Sequence, residues 1–523
     1  MRKLFHTFLL LLTAGILHAQ ESADTAGMRL LKGVEYQVEM SGTVGTGDHA
    51  PLWLHSNRYG LPSAEANSGY LRGGLFRGTD ADSRRQWRYG YGLDLAIAAN
   101  HTSTFIIHQL YADVDWKHGR LSVGAKEHPM ELKNNALSSG GQTLGINARP
   151  IPQVRIELPE YWTVPLTKGW LQLKGHLAYG VMTDQNWQHD FTGKQSRYAD
   201  NVLYHSKAGY LRIKNDDYDY PLSLEMGMEM ACQFGGTSYL PYNSEMVKMK
   251  SNSGFSSYLH AFIPGGSDWY EKDGVFQNEE GNHLGSYLLR INYDQKKWSG
   301  ALYYERFFED QSGMFGVDYD GYGDGENWNK RQSHKYLVYD FKDMMLGAEL
   351  TLKKSPWIRN IVLEYLYTKY QSGPIYHDHN PGLSDHIGGV DDYYNHYVYP
   401  GWQHWGETIG NPLYYSPILN DDGQIRFENN RFMAFHLGIS GQPTDELFYR
   451  FLSTWEEGLG TYRAPLSKKE HQLHFLAEST YTPKSKRLRG WSATGGIGLD
   501  LGGILGDTFG VNLTIRKRGV LIN

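Results

Sequence analysis

Past residue 20 the chain alternates. Leu222, Leu224, Met226, Met228, Met230 and Cys232 are apolar, and Ser223, Glu225, Gly227, Glu229 and Ala231 lie between them. A period of two puts the two sets on opposite faces of a β-strand. The same pattern recurs at Leu171, Leu173, Leu177, Tyr179 and Val181, with Gln172, Lys174 and His176 opposite. It recurs again over Tyr287–Tyr293, Leu346–Leu352 and Phe509–Ile515. No stretch of comparable length shows a 3.6-residue apolar stripe. No long unbroken apolar run follows residue 20, so a helical membrane protein is excluded.

Alternation suits either a soluble sandwich or a membrane barrel. Two features favour the barrel. The face opposite the apolar one is often Gly, Glu, Asn or Arg, as a wet lumen tolerates. Connections also alternate between short and long, as in outer-membrane barrels with short periplasmic turns and long outer loops. From residue 284 the pattern predicts strands at 284–294, 298–307, 344–353, 358–369, 431–441 and 446–455. Two more flank a hairpin at Pro483-Lys484-Ser485, and the last runs over 508–517. The loops 308–343, 370–430 and 456–470 separate them. Upstream strands are predicted near 35–42, 69–77, 87–99, 103–117, 119–126, 151–158, 170–183, 201–213, 221–233 and 251–262. Their pairing breaks parity around 127–158, a stretch that either folds inward or holds another element. A spanning strand needs about 9–11 residues, so 16 to 18 strands fit the length. A sheet edge cannot stay open in hydrocarbon, so residues 20–523 are expected to form one closed barrel.

Met1-Arg2-Lys3, the apolar stretch from Leu4 and the small Ala19 have the layout of a secretory signal peptide over residues 1–19. No cysteine follows it to carry a lipid anchor. Composition agrees with a barrel: 60 Gly, 38 Tyr, 20 Phe and 14 Trp, with a net charge of −6 from 51 basic and 57 acidic residues. That balance offers no basic excess for nucleic acid. The lone Cys232 rules out an intrachain disulfide and a cysteine zinc cluster, and reads as a small hydrophobe.

The segment 370–430 is the most unusual. It carries His377-Asp378-His379, His386, Asp391-Asp392-Tyr393-Tyr394-Asn395-His396 and Trp402-Gln403-His404-Trp405. The histidine spacing matches no established metal site, so none is expected. Flat rings beside amides and carboxylates are what a sugar needs, an apolar platform with polar handles. An aromatic plug closing the pore mouth would read the same way. Tyr393, Tyr394, Asn395, Trp402 and Trp405 are the candidate carbohydrate-binding residues. The acidic run Asp318–Glu326 fails as a calcium loop, because Tyr322 and Arg331 fall at ligand positions. No nucleophile elbow, zinc-protease helix or phosphate-binding loop is present, so neither an enzyme nor a cofactor is expected.

Three separated pieces carry a family likeness. They are Pro51-Leu52-Trp53-Leu54-His55-Ser56-Asn57-Arg58-Tyr59-Gly60; Leu137-Ser138-Ser139-Gly140 leading into Asn147-Ala148-Arg149-Pro150-Ile151-Pro152; and Asp391-Asp392-Tyr393-Tyr394-Asn395 with Gly401-Trp402 and Gly410-Asn411-Pro412-Leu413. In their order and spacing the chain resembles the Wzi family of capsule assembly proteins, in its Bacteroidetes form. The resemblance implies an all-β, 18-stranded outer-membrane barrel whose loops close the pore, with periplasmic helical elements. It implies a lectin-like role, holding capsular or exopolysaccharide at the surface of a Gram-negative cell, without catalytic residues. The expected partners are that polysaccharide, outer-membrane lipid and capsule export machinery, for a protein acting as a monomer. The alternative is a porin or polysaccharide export channel; an outer-membrane enzyme stands third.

Overall fold

The computed structural model describes residues 31–522 apart from 83–84, 216, 219, 244, 264–280, 310–311, 316–317, 320, 336–338, 377–378 and 383–386. The signal peptide expected over 1–19 therefore lies outside the described residues. Eighteen strands form one sheet. They are β1 (Val34–Thr46), β2 (Ser68–Arg77), β3 (Trp87–Ala99), β4 (Phe105–Trp116), β5 (Gly119–Ala125) and β6 (Gln153–Thr163), followed by β7 (Leu171–Val181), β8 (Leu203–Ile213) and β9 (Leu222–Phe234). The second half holds β10 (Asn282–Asp294), β11 (Trp298–Glu309), β12 (Met344–Leu352), β13 (Asn360–Tyr367), β14 (Phe432–Thr444) and β15 (Leu447–Gly460), then β16 (Pro465–Tyr481), β17 (Trp491–Gly502) and β18 (Thr508–Val520). Each strand pairs antiparallel with the next, and β18 returns to β1 in the register Met40↔Ile515, leaving no open edge.

Side-chain alternation sets inside from outside. Along β1, Gln37, Glu39, Ser41 and Thr43 are buried, while Val38, Met40 and Val44 are exposed. Along β18, Asn512 is buried, while Phe509, Val511, Leu513 and Ile515 are exposed. Apolar outside and polar inside is the reverse of a soluble core and suits a wall bathed in lipid. No helix among the described residues is long and apolar enough to cross a membrane. Trp87 stacks on Trp116, and Trp170 on Tyr218, beside the turns at one end of the wall, as an interfacial girdle would.

That end carries the tight connections, such as 117–118, 295–297 and 445–446. The opposite end carries 47–67, 126–152, 182–202, 235–281, 310–343 and 368–431. The parity break around 127–158 is resolved: 126–152 is one connection, and it turns into the lumen. Two expectations need correction. Residues 251–262 are not a barrel strand; Glu245–Lys250 belongs to a small outer sheet with Thr237–Tyr242 and Tyr198–Asp200, and Phe255–Phe262 is a helix. Phe255, Leu259 and Phe262 are spaced for a helix face, and the segment is too short to show more of a stripe. Residues 456–470 are not a loop, since β15 and β16 run on to a turn at 461–464. Three α-helices, α1 (Leu52–His55), α2 (Gln185–Thr192) and α3 (Phe255–Phe262), lie in connections of the long-loop end. At the short-turn end the described residues hold single 3-10 turns at Thr79–Asp82 and Lys486–Leu488.

Candidate functional site

The three sequence pieces that carry the family likeness meet inside the barrel. Residues 47–67, 126–152 and 391–430 enter the lumen and form a plug. Asn57 N–H donates to Asn147 Oδ1 at 2.8 Å, and Asn147 Nδ2 donates to Glu407 Oε2 at 3.0 Å, so one asparagine links the other two segments. Burial works to raise the Glu407 pKa, but His55, Ser416 and Asn147 around it prevail and hold it below the usual carboxylate range.

Lumen-facing polar residues of the wall hold this plug. Leu52 N–H donates to Asp500 Oδ2 at 2.9 Å and Trp53 Nε1 to Thr454 Oγ1 at 3.1 Å. Gln142 N–H donates to Glu305 Oε1 at 2.9 Å, and Ser138 Oγ and Ser139 N–H donate to Glu364 at 2.6 and 2.7 Å. Apolar groups fill the space between. Trp53, Leu137, Tyr394, Trp402 and Leu413 join Ala231, Phe307, Val362, Ala434 and Leu476 of the wall in one buried cluster. Plug and wall thus share a core that crosses the lumen, where buried polar groups all need partners.

Three of the five sugar-binding candidates lie in that core. Tyr393, Tyr394 and Trp402 are buried. Phe307 meets the rings of Tyr393 and Tyr394 edge-on. Tyr393 OH donates to Asp343 Oδ2 at 2.9 Å, and Trp402 Nε1 to Thr143 O at 3.1 Å. Their ring faces are occupied by the protein itself, so in this conformation they line no open surface. Trp405 is half-buried; its Nε1 donates to Thr183 Oγ1 at 3.2 Å, and the Arg149 guanidinium covers its ring at 4.6 Å.

Asn395 reaches the outer rim. Its amide donates to Asp392 Oδ1 at 3.1 Å and to Phe427 O at 2.9 Å, and accepts from Phe427 N–H at 2.9 Å. It borders a cavity of about 380 Å³ lined by Arg197, Asp392, Tyr397, Arg426, Phe427 and Arg463, among others. Three separate connections, 182–202, 391–430 and 461–464, build that cavity. Tyr397 is 63% exposed, an uncovered ring beside charged and amide groups. Beneath it, His396 Nδ1 accepts from Val398 N–H at 3.1 Å and Tyr399 N–H at 3.3 Å. Burial, with Arg197 and His283 nearby, brings its pKa down to about 3 and keeps it neutral. Tyr397 lies three residues beyond Tyr394, and nothing in the local pattern separates the exposed ring from the buried ones. The arginines come from remote segments, which no local motif links.

Of the histidine-rich stretch, His377, Asp378 and His386 lie outside the described residues, and His379 stacks on Tyr322 at 3.5 Å. Elsewhere Asp94, His108 and Glu127 bring ligand atoms within 4.8 Å of one another in the lumen. Arg72 lies among them, bonding Asp94 at 2.9 Å and Glu127 at 3.3 Å, so the cluster carries its own cation.

No model of a known protein family matches this chain, and no curated protein matches it by sequence. Among solved structures, the barrel is similar to Wzi of Escherichia coli, described as an outer-membrane protein involved in group 1 capsule assembly and a carbohydrate-binding β-barrel. The TM-score is 0.55 at 11% identity, over 95% of this chain and 89% of that one. OccAB4 of Acinetobacter baumannii matches at a TM-score of 0.43 and 9% identity, over 94% of this chain and 99% of that one. OprD of Pseudomonas aeruginosa also matches at 0.43 and 9%, over 94% and 96%. The likeness to Wzi is one of fold: a closed, 18-stranded membrane β-barrel.

Proposed function

We propose that this protein is a lectin-like outer-membrane barrel of the Wzi kind, which binds capsular or exopolysaccharide and helps assemble or anchor it at the cell surface. On this reading residues 1–19 direct export and are removed, and the chain works by binding rather than turnover, with export machinery and membrane lipid as its neighbours. What supports it is a rim cavity with an exposed tyrosine ring and polar handles, set over a lumen filled by a packed plug. A pyranose offers an apolar face to such a ring and hydroxyls to such handles. Contact with a repeating polymer lets weak individual sites retain a long chain.

The test is a deletion strain stained for surface polymer and complemented with wild type, Tyr397→Ala or Trp405→Ala. Shedding with normal synthesis, restored by wild type and less well by the variants, is the expected result. Equal cell-bound polymer in all strains would overturn the anchor reading. The alternative is a porin or polymer exit channel. Steady single-channel current through the wild-type protein in a planar bilayer would favour it.

A further inference from the structure

Three guanidinium groups line the rim cavity, and their charges are not equally answered. Arg426 is met by Asp422 at 2.8 Å and Glu428 at 2.5 Å. Among the described residues Arg197 donates only to two backbone carbonyls, His396 O at 2.5 Å and Tyr397 O at 3.2 Å. Arg463 is exposed and has neither a hydrogen bond nor an ion pair among the described residues. The nearby carboxylate of Asp392 answers part of this charge, with its Oδ1 accepting from Asn395 Nδ2 at 3.1 Å and Asn430 Nδ2 at 2.6 Å. Burial lowers the Arg197 pKa, Asp392 opposes that, and Arg463 and Arg426 lower it further by repulsion. The cavity therefore gathers like charges that an anion would relieve.

A guanidinium presents five N–H donors in a rigid fork that matches a carboxylate in two-point contact. Arg197 uses a single nitrogen on its carbonyl partners, so the rest of its fork has no hydrogen-bond partner among the described residues. Tyr397 supplies a ring beside the charge, and the backbone of the same residue helps fix Arg197 in place. We propose that this cavity binds the carboxylate-bearing sugar residues of an acidic polysaccharide, with Arg197 and Arg463 holding the carboxylate and the Tyr397 ring packing the sugar face. The assignment rests on the polysaccharide reading above and narrows it to uronic-acid-type units.

The experiment uses the full-length protein in detergent. The probe is short fragments of surface polysaccharide extracted from the producing cell, before and after reduction of the carboxylates to primary alcohols. Short fragments avoid the avidity of a long polymer. Binding is measured by calorimetry at low and high salt for wild type, Arg463→Gln and Arg197→Gln. Arg463 is exposed, so its substitution leaves folding intact and keeps the test valid should Arg197→Gln misfold. Losing one charge-assisted contact is expected to weaken binding of native fragments about tenfold or more. Carboxyl reduction should weaken wild type by at least as much, and the two losses should not add. The attraction should also fall with salt. If native and reduced fragments bind equally, or Arg463→Gln binds native fragments like wild type, the carboxylate assignment is overturned while the polysaccharide reading stands. If wild type binds neither fragment, both readings fail.

Discussion

Glu364 is the place where the plug is tied most densely to the wall. It projects from β13 into the lumen, is 4% exposed, and accepts from Ser138 Oγ, Ser139 N–H, Ser139 Oγ and Tyr303 OH. Two donors of Ser139 and one of Ser138 belong to the plug, so Glu364→Ala cuts three plug contacts and leaves their donors facing a void. Each hydrogen bond to a charged acceptor contributes about 1.5–3 kcal/mol. Relaxation and entering water recover part of this, and removing one side of a buried charged network costs roughly 3–5 kcal/mol in all. At about 1.4 kcal/mol per factor of ten, the fraction of molecules with this segment released rises by roughly 10² to a few times 10³. Glu364→Gln keeps one carbonyl acceptor and should fall between. The readouts are hydrogen exchange over residues 137–147 and single-channel recording in a planar bilayer. The variant should lose exchange protection there and show brief openings that wild type lacks. Equal protection and equally silent records for a folded Glu364→Ala barrel would refute the reasoning.

Three further outcomes follow from named positions. A Cβ at Gly438 would stand 2.5 Å from Leu137 O, which also accepts from His436 Nε2 at 2.8 Å; Gly438→Ala should therefore loosen the same plug segment by about 1–3 kcal/mol and speed proteolytic nicking within 126–152. Leu513 faces outward at 57% exposure, so Leu513→Arg should cost about 2–4 kcal/mol near mid-membrane and lower the yield of folded, heat-modifiable barrel, whereas Leu513→Phe should assemble normally. His396 titrates near 3 in place against 6.5 when released, so the released loop binds the extra proton between those values. Its stabilising effect is complete above pH 6.5 and is lost as pH falls toward 3. Exchange protection of 395–401 should drop across that window in wild type, and His396→Asn should flatten the step.

The wall was legible because lipid outside and water inside impose opposite demands on alternate residues. Glu39 between Val38 and Met40 shows this directly, and so does Asn512 between Val511 and Leu513. Where another element covers the wall, the rule weakens. Cys232 and Phe234 continue the outward series of β9 but are buried beneath α3, whose eight residues are too few to show a helical stripe. The plug was harder to see. Its segments obey no period, and their partners lie far off in sequence, as Ser139 and Glu364 do. The same distance hid the rim cavity. Aromatic and amide residues in 391–405 marked the right connection, but which rings stay uncovered depends on Phe307 and Thr143 for Tyr394 and Trp402, and on neither for Tyr397.

The way the plug is stitched also decides how the rim would bear a mechanical load. A pull on Tyr397 passes to Arg197 through the Tyr397 carbonyl and to Phe427 through Asn395. From there Asn430 shares the strain with Asp392, and its carbonyl with Thr368 at the end of β13, while Tyr394 N–H hands part of it to Glu309 of β11. Tension is therefore divided between β11 and β13 rather than passed to one strand. A cable moored at this rim would load two staves of the hull rather than one cleat.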